Sequence, residues 1–186
     1  LENICCGVLL TTDDTLGGKF SKNIIVEKAH QSNCVVGLKY GGLQGEIVIS
    51  CCGEYLYRIE MTNIKDGQKA EIPDVVEAMC EKVLAWKKLT SNEQGVSVSV
   101  TAHSAQIKSG RGADHASAAV SLRFNSKKQA KELDKQIRNI ADAQKSDNLQ
   151  VQIKRIARRL PIIENEENKA FFKEVRKLAK KLEVRA

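Results

Sequence analysis

Two adjacent carboxylates, Asp13 and Asp14, follow an apolar run at residues 4–10 and precede Thr15-Leu16-Gly17-Gly18. An apolar run ending in a polar, glycine-bearing loop reads as a strand buried on both faces, and open α/β sheets present functional groups at the carboxyl ends of such strands. Paired carboxylates there have two uses: they ligate a metal or act as a base, or they cap the helix that follows the glycines. The residue types leave both open. Of the histidines, His30 falls near a helix end, where it suits the dipole, and His103 lies on the polar phase of a strand beside Thr101. Lys154-Arg155 and Arg158-Arg159 close a strand, where two arginines either clamp a carboxylate bidentately or form a solvated strand end. The cysteines at 5, 6, 34, 51, 52 and 80 include no C-x-x-C. Vicinal cysteines in a strand point to opposite faces, poorly placed for a disulfide or a metal clamp, so all six read as reduced, buried small hydrophobes of a cytoplasmic protein.

The elements that would position these groups are of two kinds. Continuous apolar runs at 4–10, 34–38 and 46–52, with a short amphipathic segment from Ser21 to about His30, predict a parallel α/β unit. From Glu54 the pattern becomes strict alternation. Tyr55, Tyr57, Ile59 and Met61 define one strand, and Val96, Val98, Val100 and Ala102, opposed by Ser97, Ser99, Thr101 and His103, define a second. Ala118, Val120, Leu122 and Phe124 define a third, and Leu149, Val151 and Ile153 a fourth. Each has one polar face, as in an antiparallel sheet. Between the first and second lies a helix with Pro73 and Asp74 at its start, Ile72, Val76, Met79, Val83 and Trp86 on one stripe, and Lys87-Lys88 at its close. Between the third and fourth lies another, opened by the capping box Ser126-x-x-Gln129. The order β-α-β-β-α-β predicts a ferredoxin-like layer of two helices on four strands. A last helix, capped by Asn165, carries Phe171, Phe172, Val175, Leu178 and Leu182 on a stripe that needs a surface outside that layer.

Length and composition bound the rest. With 186 residues, 42% hydrophobic, 28% charged and two prolines, the chain is globular rather than disordered or fibrous. No apolar run approaches the roughly 18 residues of a spanning helix. The chain begins without Met and enters an apolar run almost at once, so it reads as a piece cut from a longer polypeptide. Residues 126–186 hold 17 Lys/Arg against 9 Asp/Glu, and the first 125 hold 13 against 14. The net charge of +7 therefore resides in the last third, suited to an anionic partner or to solvated helix faces.

The stretch Val8-Leu9-Leu10-Thr11-Thr12-Asp13-Asp14-Thr15-Leu16-Gly17-Gly18, the inserted β-α-β-β-α-β module, the glycine-rich turn Gly110-Arg111-Gly112-Ala113-Asp114 and the return helix after Leu160-Pro161 together resemble the middle of the di-zinc metallopeptidases and amidohydrolases. That family includes glutamate carboxypeptidase, aminoacylase and succinyl-diaminopimelate desuccinylase. The resemblance covers nearly the whole chain. It implies an α/β (α+β) fold: a ferredoxin-like lid and dimerisation domain at 54–163, inserted between catalytic-domain segments at 1–53 and 164–186. The family's strand ends in Asp-Glu-Glu-x-Gly, where the first Glu is the general base and the second a zinc ligand. Asp14 stands at the base position and Thr15 at the ligand position. Asp is a methylene short of Glu, and a displacement of about 1 Å can cost a hundredfold in rate. Thr15 offers a neutral hydroxyl where zinc takes an anionic group.

The remaining zinc ligands of the family, a His-x-Asp pair and a bridging Asp upstream and a His downstream, have no counterpart here. The resemblance thus implies zinc in an intact parent and none bound to this fragment, which is not catalytic by itself. It also implies a homodimer formed through the lid, closing over a small peptide or N-acyl amino acid. The lid's expected His is absent from Asn63-Ile64-Lys65-Asp66-Gly67, Asp114 matches the Asn of an Asn-x-x-Pro turn that here has no proline, and His115 is a substrate contact in shifted register or a polar strand end. Arg158 is the third candidate substrate contact. A rival reading is an RNA-binding or other protein-interaction module of the same strand order. RNA-recognition folds stack bases on first- and third-strand aromatics, and this chain offers Tyr55 and Tyr57 on the first, Phe124 alone at the end of the third, and 4% aromatics overall. Membrane is not an expected partner, and the scarcity of aromatics argues against nucleic acid.

Overall fold

The computed structural model describes residues 5–13, 18–38, 47–64, 74–106, 113–143 and 148–183. Asp14, Thr15, Gly17, Gly41-Gly42, Ile72-Pro73 and Gly110-Arg111-Gly112, all singled out in the sequence, lie outside the described residues. The chain divides into two compact units, Val48–Lys177, and Leu1–Ile47 with Leu178–Ala186.

In the smaller unit α1 spans Lys22–His30. In the larger, β1 (Gly53–Asn63), α2 (Val75–Lys87), β2 (Ser97–Gln106), β3 (His115–Phe124), α3 (Lys127–Asp142) and β4 (Leu149–Arg159) follow in the predicted order, and α4 (Glu166–Lys181) crosses from one unit into the other. The strands lie in the order β2-β3-β1-β4, every neighbouring pair antiparallel. This is the split βαβ arrangement: each crossover helix returns the chain across the same face of the sheet.

Alternation fixes which face is covered. Tyr57, Ile59 and Met61 of β1 and Ala116, Val120, Leu122 and Phe124 of β3 are buried against Val75, Met79 and Trp86 of α2 and Ala130, Leu133, Ile137 and Ala141 of α3. Asp74 caps α2, accepting from the amides of Val76 at 2.8 Å and Glu77 at 3.1 Å. Ser126 and Gln129 form the capping box of α3, and Asn165 caps α4 by accepting from the amide of Asn168 at 2.7 Å. Gly53 is required by close approach: a Cβ there would meet the Phe124 ring and the Pro161 nitrogen at 2.8 Å.

Four expectations change. The buried stripe of α2 is Val75, Met79, Lys82 and Trp86, one residue round from the predicted Val76 and Val83. Lys82 can lie inside because its ammonium donates to the carbonyls of Ile140, Ala141 and Ala143 at 2.8, 2.9 and 2.7 Å, closing the carboxyl end of α3. The alternation of β2 breaks at a bulge between Val100 and Ala102, after which Ala102 pairs with Ala119 and His103 with Ala118. An inserted residue reverses the phase beyond it.

The runs predicted as doubly buried strands form none among the described residues. Residues 5–10 and 34–38 carry no strand, and Val8, Leu10 and Leu38 are 82%, 88% and 96% exposed. Such strands need hydrogen-bonding neighbours and cover on both faces, and the described residues supply neither. Near 46–52, Cys51 makes only an isolated antiparallel bridge with Ile162. All six cysteines are exposed rather than buried, because most of them belong to those unpaired runs and Cys80 lies on the outer side of α2.

Candidate functional site

The Asp13 carboxylate is committed. Oδ2 accepts from the amides of Phe20 at 2.7 Å and Ser21 at 3.0 Å, and Oδ1 accepts from the Ser21 hydroxyl at 2.5 Å. The Asp13 carbonyl accepts from the Gly18 amide at 2.9 Å. Ser21 occupies the N-cap position of α1 yet makes no side-chain cap of its own, so the aspartate eight residues upstream of it serves the amides that lead into the helix. The Ser21 hydroxyl, followed by the Ser21 and Phe20 amides, holds the Asp13 carboxyl below its usual range. Of the two uses that the sequence left open, Asp13 takes the capping one.

Asp114 and His115 stand where β3 begins. His115 pairs with Thr62 of β1 on one side and with Gln106 of β2 on the other, and Thr62 pairs in turn with Gln150 of β4. These four polar residues form one row across the end of the sheet. The Asp114 carbonyl accepts from the Asn63 amide at 2.9 Å. His115 Nδ1 is buried and has no hydrogen-bond partner among the described residues, a condition that costs free energy unless something else supplies the bond.

Arg158 is at the other end. It pairs with Tyr55, seven residues along β1 from Thr62, which at about 3.3 Å per residue is roughly 23 Å away. Asp114 and His115 are therefore brought together, and Arg158 is not brought to them.

A network that ties β1, α3 and β4 has no counterpart among the sequence motifs. Tyr57, fully buried, donates its hydroxyl to Asp134 Oδ1. Arg155 Nη1 lies 3.3 Å from the same oxygen, and Arg138 Nε 3.3 Å from Oδ2. The Arg155 guanidinium also sits 4.7 Å from the centroid of Tyr55. Burial, then the bond to Asp134, pushes the Tyr57 hydroxyl well above its ordinary value. Burial would raise Asp134, but the Tyr57 hydroxyl and the two guanidiniums outweigh it and hold the carboxylate low. Asp134 and Arg138, four apart on a helix, were legible as a pair; the tyrosine beneath them was not.

These positions decide two chemical questions. The face of β1 and β3 opposite the helices carries no aromatic residue, since Tyr55, Tyr57 and Phe124 all point into the core at 5%, 0% and 0% exposure. The stacking surface that the RNA reading required is absent. Among the described residues, no group of three or more His, Cys, Asp or Glu side chains is placed to hold a metal ion, and the Asp13 carboxylate already accepts from Phe20 and Ser21. These residues do not fit a zinc centre.

The fold has known counterparts. It is similar to an amidase of the hydantoinase/carbamoylase family from Burkholderia vietnamiensis, with 16% identity over 74% of this chain and 34% of that one and a TM-score of 0.57. An aminobenzoyl-glutamate utilization protein from Klebsiella pneumoniae matches at 10% identity over 66% of this chain and 32% of that one, TM-score 0.56. A tripeptidase from Staphylococcus aureus matches at 11% identity over 74% and 37%, TM-score 0.54. The chain has the fold of one region of these proteins. It spans about a third of their length. No family model matches it, and no curated protein does, so the likeness is one of fold. Among the described residues no helix is long and apolar enough to cross a membrane.

Proposed function

We propose that this chain is the lid and dimerisation region, with flanking catalytic-domain segments at 1–53 and 164–186, of a peptidase- or amidohydrolase-like protein. The observation that carries the reading is the β2-β3-β1-β4 sheet with two helices on one face, matched at TM-scores of 0.54 to 0.57 in a tripeptidase, an amidase and an aminobenzoyl-glutamate utilization protein. The lid closes over a small peptide or N-acyl amino acid, with Asp114 and the unsatisfied Nδ1 of His115 as the groups that meet it. Zinc and its ligands belong to the rest of such a protein. Asp14 and Thr15 occupy the base and ligand positions in altered form, so catalysis in the parent is weakened or lost. Zinc content of the full-length protein should rise when Asp14→Glu and Thr15→Glu are combined; no rise counts against that assignment.

The lid pairs with a second copy through β2. This edge strand, Ser97–Gln106, contains no Lys, Arg, Asp or Glu; Thr90 and Lys87 bond the backbone of Val98 near its start, and the uncharged edge beyond is suited to joining its own copy. The exposed Leu84 of α2, 64% accessible, lies on the helix above. Sedimentation of the purified chain should show a concentration-dependent dimer that Leu84→Glu weakens. A strict monomer at high concentration overturns the dimer.

A further inference from the structure

The opposite edge of the sheet has a different character. The stripe that α3 buries is flanked on one side by Lys127, Lys131, Asp134 and Arg138, at helical spacings of three and four. The contact between Asp134 and Arg155 makes this the side that faces β4. On β4, Arg155 and Arg158 are of opposite parity and would ordinarily point to opposite faces. A register shift between Leu56 and Tyr57 of β1 leaves Ile156 unpaired and sets Arg155 beside Tyr57 and Arg158 beside Tyr55, both rows that face the helices. The bulge thus gathers two arginines onto the side where α3 carries its lysines. Asp134 is the one carboxylate among them, and it is taken by Tyr57, Arg138 and Arg155. Lys127, Lys131 and Arg158 are exposed and make no ion pair among the described residues.

We propose that the α3–β4 edge is a docking surface for an acidic polypeptide segment in extended conformation, laid along β4 with its carboxylates over Lys127, Lys131 and Arg158. Three features select this occupant. No strand among the described residues pairs with the outer edge of β4, so its backbone can take an added strand. Lysines four apart on a helix repeat at about 6 Å, and alternate residues of an extended chain at about 6.6 Å, so Asp or Glu at every second position keeps step with them. The like charge of this edge repels a second copy, in contrast to β2. A nucleic acid would use the cations but not the strand edge, and the sheet offers it no aromatic to stack on.

The test is fluorescence anisotropy of the whole chain with a labelled peptide of alternating Glu and Thr as long as β4. It should bind, and Lys127→Glu with Lys131→Glu should weaken it about tenfold, two exposed pairs being worth roughly that. A Glu-Pro peptide of equal charge, unable to join a strand edge, should bind more weakly than the Glu-Thr peptide by a similar factor. Bound Glu-Thr peptide should slow amide exchange along β4 of the unaltered chain. Equal binding of the two peptides, tighter binding of a DNA duplex or of phosphatidylserine vesicles at the same ionic strength, unchanged exchange along β4, or indifference to the double charge reversal would each overturn the proposal.

Discussion

Tyr57 shows how much one side chain can decide without announcing itself. Its place in the alternation of β1 was legible, and so was the burial that follows. Its hydroxyl partner was not, because Asp134 stands 77 residues away and only the packing of α3 on the sheet brings them together. A buried hydroxyl bonded to a carboxylate contributes about 1.5–3 kcal/mol, so Tyr57→Phe should destabilise the larger unit by that order. The pH dependence has a definite sign. The folded-state value lies above the ordinary 10.0, so the native state holds this proton where the unfolded chain releases it, and the stability is full below pH 10.0 and declines as pH rises past it. Chemical denaturation on either side of that pH should find the gap between wild type and Tyr57→Phe narrowing on the alkaline side; a constant gap would contradict the network. Asp13 teaches the converse. Its position before two glycines left a metal, base or capping role open, and the amides of Phe20 and Ser21 claim it for the last, a claim that needs residues seven and eight positions on to return to it.

Elements were most legible where one face is wet and the other dry. The alternation through β1, β3 and the first half of β4 survives intact, since a strand slipped by one residue would turn its whole apolar set to water. Both bulges escaped, at Val100/Ala102 and at Leu56/Tyr57, because a single inserted residue leaves the local composition unchanged while reversing everything after it. Lys82 was illegible for a related reason: a lysine on a buried stripe looks like an interruption until three carbonyls at the end of α3 are found around its ammonium. Burial pushes that ammonium below its ordinary value, while the carboxylates of Asp142 and Glu81 pull the other way. Continuous apolar runs were the least reliable guide. They signal that a segment needs cover on two sides, and they say nothing of whether the cover lies within the same 186 residues.

That distinction governs the molecule as a whole. The larger unit closes its own core around Trp86, Tyr57 and Phe124, with every central strand paired on both sides. In the smaller unit α1 buries no residue, and Val8, Leu10, Phe20 and Leu38 are more than two-thirds exposed. Phe171 and Leu178 of α4, and Leu182 just past its end, are likewise 42%, 57% and 71% exposed. Local opening is governed by buried apolar contact and paired backbone, so the two units should differ sharply in resistance. Limited proteolysis of the whole chain should remove residues before about 48 and cut within α4, leaving a fragment that retains β1 through β4 with α2 and α3, and that fragment should melt cooperatively. Cleavage at equal rates in both units would mean that the exposed apolar runs are covered in solution. The same experiment in the full-length protein carries the stronger test of the proposed lid: protection should spread to residues 5–13, 34–38 and α4, because those are the surfaces a catalytic body would seal, while the β1–β4 sheet, complete in itself, should change little.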